Sequence, residues 1–192
     1  LYRLSSLLDD NLDASEQAIA HARRCVELAP SVAASYLRLA RCYFSSFDYV
    51  SEIATLKSAF QIMWNPKDLG LALYWLGYAF CMTDELDAGM ACYQRSVAYD
   101  RTLADVASTE LRDLAERRGV EIKTFTEREA KLVLQGAGID LDLCQRNIAF
   151  LVKAAGTVLD AGNKGLAFKL LGASAIGRHD DAMAPVLSSL EV

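Results

Sequence analysis

Apolar residues recur along most of this chain at steps of three and four, the rhythm that lines one face of an α-helix. Leu73, Leu76, Gly77 and Phe80 keep that spacing, Thr83 and Asp84 then offer a turn and an N-cap, and Leu86, Gly89, Met90, Tyr93 and Val97 resume it. This run predicts two antiparallel helices joined by a short turn. Upstream, Tyr36, Leu39, Ala40 and Tyr43 repeat the first of these helices. Ala18, Ala22, Cys25 and Leu28 read as a second helix, with Asp13 and Glu16 spaced as a capping box. Leu1, Leu4, Ser5 and Leu8 fit one more first helix, so the chain is expected to begin inside a repeat, with further protein upstream.

Pro30 and Pro66 stand 36 residues apart, and each is predicted to close a helix-length apolar run. Leu39 to Pro66 spans 27 steps against 25 from Leu76 to Arg101, which places a two-residue insertion in the turn around Ser45, Ser46, Phe47 and Asp48. Trp64, just before Pro66, reads as core. Ala107, Leu111 and Leu114 predict another first helix, ended by Gly119. Residues 120–125 alternate like a strand but have no second strand to pair with, so an extended linker is expected. Thr126 and Glu129 form a capping box for a short helix ending near Gly136 and Gly138. A long amphipathic helix over 142–161 carries Cys144, Ile148, Ala155 and Val158 on one side, a turn at Gly162 and Asn163 leads to Ala167 and Leu171, and a last helix runs through Val186 and Leu190.

Leu73, Leu76-Gly77 and Phe80, followed by Gly89 and Tyr93, resemble the tetratricopeptide repeat, whose first helix carries W-x2-L-G-x2-Y and whose second carries A-x3-F. Leu stands in place of the Trp, Gly in place of the Ala, and Arg101 where the closing Pro would be. The resemblance implies an all-α fold, an α-α superhelix built as a right-handed solenoid of antiparallel helix pairs. On that reading residues 1–118 hold about three repeats, the first truncated, plus a following helix. Residues 119–125 are the linker, and 126–192 form a helical part with one degenerate repeat.

Of the 192 residues 53% are hydrophobic, ample for a core, and the net charge of −5 comes with no Lys/Arg cluster of the kind that meets phosphate backbones or anionic lipid. Neither nucleic acid nor a membrane is expected as a partner. The longest nearly uncharged apolar stretch, Leu69 to Met82, has 14 residues where a spanning helix needs about 20. Cys25, Cys42, Cys81, Cys92 and Cys144 form no C-x-x-C pair, and their scattered spacing predicts buried, reduced thiols in a cytoplasmic protein.

Candidate chemistry is sparse. His21 and His179 are far apart, and His179-Asp180-Asp181 reads better as a helix-to-helix turn with an Asp cap than as a metal or catalytic set. Gly136-Ala137-Gly138 lacks the rest of a phosphate loop, no G-x-S-x-G occurs, and the mixed charges from Glu110 to Lys131 read as a solvated surface. No catalysis, metal or cofactor is expected.

The stretch YWLGYAF, residues 74–80, holds more rings than repeat packing requires. First helices line the concave face of tetratricopeptide solenoids, so the resemblance implies a groove formed by Leu37, Arg38, Arg41, Phe44, Tyr74, Trp75, Tyr78 and Met82, with Tyr2 and Arg3 from the partial first helix. Such a groove would take an apolar peptide or helix bearing an acidic residue, in the manner of a scaffold, with Arg38 and Arg41 meeting its carboxylate. The competing reading buries these rings against neighbouring repeats or the C-terminal helices. A chaperone-tail carboxylate clamp is not expected, because Arg38 and Arg41 lack the accompanying Asn and Lys set. Two alternative functions remain, self-association into a homodimer through residues such as Leu1, Leu4 and Leu8, or a docking arm of a larger regulatory protein or enzyme.

Overall fold

The computed structural model describes residues 15–63 and 65–175, and among them the regular elements are all helical, with no strand. They are α1 (Ser15–Leu28), α2 (Ala33–Ser45), α3 (Tyr49–Phe60), α4 (Pro66–Met82) and α5 (Leu86–Tyr99), followed by a 3-10 turn over Arg101–Leu103. Then come α6 (Ala104–Arg118), α7 (Glu127–Gly136), α8 (Leu141–Asp160) and α9 (Lys164–Ala175). From α1 to α6 each helix packs on the next; α2 also touches α4, and α4 touches α6. Farther along, α7 lies on α5, while α8 pairs with α9 and reaches α3 and α7.

The apolar rhythm of the sequence becomes one main core, in which Leu56, Phe60, Leu73, Leu76 and Phe80 are sealed from solvent together with Leu134 of α7. Each such side chain removed from water contributes about 1.5–3 kcal/mol. A smaller cluster joins Ala18 and Ala22 of α1 to Leu39 and Tyr43 of α2. A third, centred on Cys81, Tyr93 and Ala107, ties α4, α5 and α6 together.

The two central hairpins share one turn. Three residues separate the helices in each, Ser46–Asp48 and Thr83–Glu85, and the third amide reaches back five residues: Asp48 N donates to Tyr43 O at 3.0 Å and Glu85 N to Phe80 O at 2.9 Å. This closure needs a left-handed residue in the middle, and Phe47 (φ 58°) and Asp84 (φ 65°) supply it. The insertion expected in the first hairpin turn is therefore not there. The extra length falls between Phe60 and Pro66 instead, where a connection can absorb residues without disturbing the paired helices. Asp84, expected as the N-cap, is that left-handed residue, and Glu85 holds the cap position without a side-chain cap bond. Pro66 does more than end a run: it is the first residue of α4, where its missing N–H costs nothing, with Asn65 Oδ1 accepting from Lys67 N at 3.0 Å.

Gly119, at φ 61°, ends α6, and residues 120–126 form neither helix nor strand. Gln94 of α5 helps hold them against that helix through its amide, Nε2 donating to Lys123 O at 2.6 Å and Oε1 accepting from Phe125 N at 2.9 Å. Lys123 Nζ bridges both carboxylate oxygens of Asp87, at 2.7 and 2.8 Å. The Thr126 and Glu129 capping box is formed, and α8, the Gly162 turn and α9 follow the predicted order. The readings of Leu1, Tyr2, Arg3, Leu4, Leu8, Asp13, Trp64, His179, Val186 and Leu190 lie outside the described residues.

Candidate functional site

Where α2 crosses α4, Phe44 and Tyr78 meet edge to face, their ring centroids 5.4 Å apart. Tyr49, in the first turn of α3, lies 5.9 Å from Tyr78, and Phe47 at the hairpin tip lies 6.4 Å from Tyr49. Arg41 caps the other end, its guanidinium 5.1 Å from the Phe44 centroid, a cation–π distance. The result is a row of four rings from the turn to α2, ending in a positive charge. Phe47 and Val50 are 73% and 72% exposed, and Met82, one turn beyond Tyr78, is 42% exposed, while Phe44, Tyr49 and Tyr78 are half-buried, so the row runs from solvent at the hairpin tip onto the packed helices. Burial, then the Tyr78 hydroxyl and the neighbouring Glu52, raise the Tyr49 phenol above its ordinary value.

The residues singled out in the sequence divide among three environments. Arg41, Phe44, Tyr78 and Met82 lie on or beside this row, and Arg38 is half-buried on α2. Leu37 is buried in the main core, and Trp75 packs half-buried against the same core. Tyr74 lies with its ring 5.6 Å from Tyr93 in the α4–α5–α6 cluster, against which Tyr78, one turn on, also packs, and its phenol pKa is raised by burial and by Glu110 beside it. The rings of the YWLGYAF stretch thus divide between two faces of α4, Tyr74 and Tyr78, four residues apart, on the α4–α5–α6 cluster and Trp75 and Phe80 in the main core.

Sequence reasoning missed Phe47, Tyr49, Val50 and Glu52. The hairpin tip was treated as loop, yet a bulky residue seldom adopts positive φ, and Phe47 does so with its ring in solvent. Glu52 was legible in principle: it falls on the apolar stripe of α3 with Leu56, Ala59 and Phe60, at helical steps. It is fully buried, and both carboxylate oxygens lack a hydrogen-bond partner. Burial pushes its pKa up to about 8, with Arg41 opposing.

Beside the row, a cleft of about 70 Å³ opens between α4 and α6, floored by Cys81 and Tyr93 and rimmed by Tyr78, Met82, Leu114 and Arg117. Arg118 closes one side, bonded to Asp84 and donating to Cys81 O at 3.3 Å. Cys25, Cys42, Cys81 and Cys92 are buried and form no disulfide with one another. Burial pushes the Cys81 thiol up to about 11, with Arg118 opposing, and Cys92 well above its usual value. Such thiols make poor nucleophiles. Among the described residues no three His, Cys, Asp or Glu side chains gather as a metal site would require, and no helix is long and apolar enough to cross a membrane. No protein-family model matches this chain, and no curated protein matches it.

Proposed function

We propose that this chain is a protein-interaction module of the tetratricopeptide kind, in which stacked helix pairs form a superhelix and the ring row of Phe44, Phe47, Tyr49 and Tyr78 docks a partner. The carrying observation is Phe47. A left-handed backbone at a phenylalanine is unfavourable by about 1–2 kcal/mol, and its 73% exposed ring recovers little through burial. Folding alone gives no reason to keep it, whereas aromatic anchors beside an arginine are what binding hot spots are made of.

Charge selects the partner. The chain carries a net −5, while Arg41 places positive charge at the end of the ring row, so an apolar peptide or helix bearing a carboxylate is favoured there. The pairing of α2 with α4 and of α4 with α6 supports the repeat reading, since first helices of successive units lie side by side in such stacks. On this reading the module works without catalysis or cofactor, in the cytoplasm. The test is a pull-down comparing wild type with a Phe44→Ala/Tyr78→Ala double variant of equal helicity. Loss of specific partners from the variant is expected, and identical partner sets would refute the proposal.

A further inference from the structure

Glu52 has a counterpart that shows what it displaces. Counted from the left-handed residue of each turn, Glu52 is the fifth residue past Phe47, and Gly89 is the fifth past Asp84. At Gly89 the helices touch so closely that a Cβ would collide with Cys81 Sγ and lie 2.9 Å from Gly77 O. The equivalent point of the first hairpin holds a whole carboxyl side chain, sealed from water and without a hydrogen bond. Burial makes the ionised carboxyl costly in such a place, a cost that nearby Arg41 offsets only in part.

We propose that Glu52 is a proton-controlled latch on the ring row: while it holds its proton, α3 stays packed between α2 and α4 and the row is assembled, and when it ionises that packing loosens and the rings separate. The inference concerns regulation of the docking face and rests on that reading for its biological consequence. The geometry ties the two together, because Tyr49 stands one helical turn before Glu52 and is the ring through which α3 reaches Tyr78 of α4. The titratable or charged groups facing Glu52 among the described residues are Arg41 of α2 and Tyr49 of α3 itself, with Tyr78 of α4 behind Tyr49. Where α3 approaches the start of α8, Lys57 and Asp140 line a separate cavity at the opposite end of the helix.

The sign follows from linkage. A carboxyl that titrates near 4.5 when unfolded and at about 8 when folded keeps its proton longer in the native state. Between those values the folded form binds more protons, so the folding equilibrium weakens as pH rises, by up to tenfold per pH unit, and levels off above about pH 8. Below about pH 4.5 the group is neutral in both states and exerts no pH dependence.

Urea unfolding and ring-proton NMR of Phe44, Tyr49 and Tyr78 from pH 5 to 9, on wild type and Glu52→Gln, test this without any partner. In wild type the folding constant should fall and the ring-current shifts among the three rings should collapse over the same pH range. Glu52→Gln should keep both nearly flat. Should Glu52→Gln not fold, Glu52→Met is measured in its place, with the same flat profile expected. Wild-type shifts that persist to pH 9, or a variant that loses them as wild type does, would overturn the latch. Either result leaves the docking reading to be judged by its own pull-down at constant pH.

Discussion

Seven residues before the left-handed residue of its turn, α2 carries Ala40 where α4 carries Gly77; five residues after it, α3 carries Glu52 where α5 carries Gly89. One turn geometry thus closes two hairpins with opposite contents. In α4–α5 the two glycines let the backbones approach, and the Tyr93 ring lies against Gly77, where a Cβ would come within 2.9 Å. In α2–α3 a carboxyl group is wedged into the seam, Phe44 and Tyr49 are half-buried beside it, and only Phe47 stands in solvent. The second hairpin is packed for stability. The first gives up part of its stability, and gains an aromatic surface and a group whose charge can change.

The largest effect should come from moving the first hairpin's solution into the second. Gly89→Glu forces a side chain against Cys81 and the Gly77 carbonyl, and should lower unfolding free energy by about 3 kcal/mol or more in urea titration. The reverse exchange should help. Glu52→Met removes two unsatisfied oxygens and should raise stability by about 2 kcal/mol at pH 8, with a smaller gain at pH 5, where the carboxyl is neutral.

Much of this fold was legible in the sequence because steps of three and four, caps and Gly/Pro stops are local signals. Leu73, Leu76, Phe80, Met90 and Tyr93 are buried where their rhythm places them, and the Thr126 box and the Gly119 stop form as read. What failed was long-range or rotational. The span from Leu39 to Pro66 shows that two residues are extra but not where they go, since turn and connection lengths trade against each other. The three rings at 74, 75 and 78 could not be assigned to faces without knowing which neighbours close on α4. Trp75 turned to the main core, while Tyr74 and Tyr78 both pack against the cluster of Cys81, Tyr93 and Ala107, Tyr78 also meeting Phe44. Phe47 was invisible because neither hairpin marks its left-handed position with a glycine, Asp84 filling it in the second and Phe47 in the first.

A smaller change isolates that position. Phe47→Gly relieves the left-handed backbone and gives up only the limited contact with Tyr49, so thermal or chemical unfolding should show a gain of up to about 1 kcal/mol. Smallest of all is the control that glycine is prized for its place and not its type. Gly156 lies within α8 with open space around its Cβ position, and Gly156→Ala should stabilise by about 0.5–1 kcal/mol, opposite in sign to any substitution at Gly89.

The central claim is that the rings of the first hairpin serve a partner more than they serve the fold. A peptide selected from a random library on the wild-type protein, titrated calorimetrically against wild type and the Phe44→Ala/Tyr78→Ala double variant of matched helicity, tests it most directly. The account predicts an apolar consensus with an acidic residue, and affinity weakened at least about thirtyfold in the variant, the loss of about 2 kcal/mol that marks a genuine anchor. Equal affinity for both proteins would contradict it.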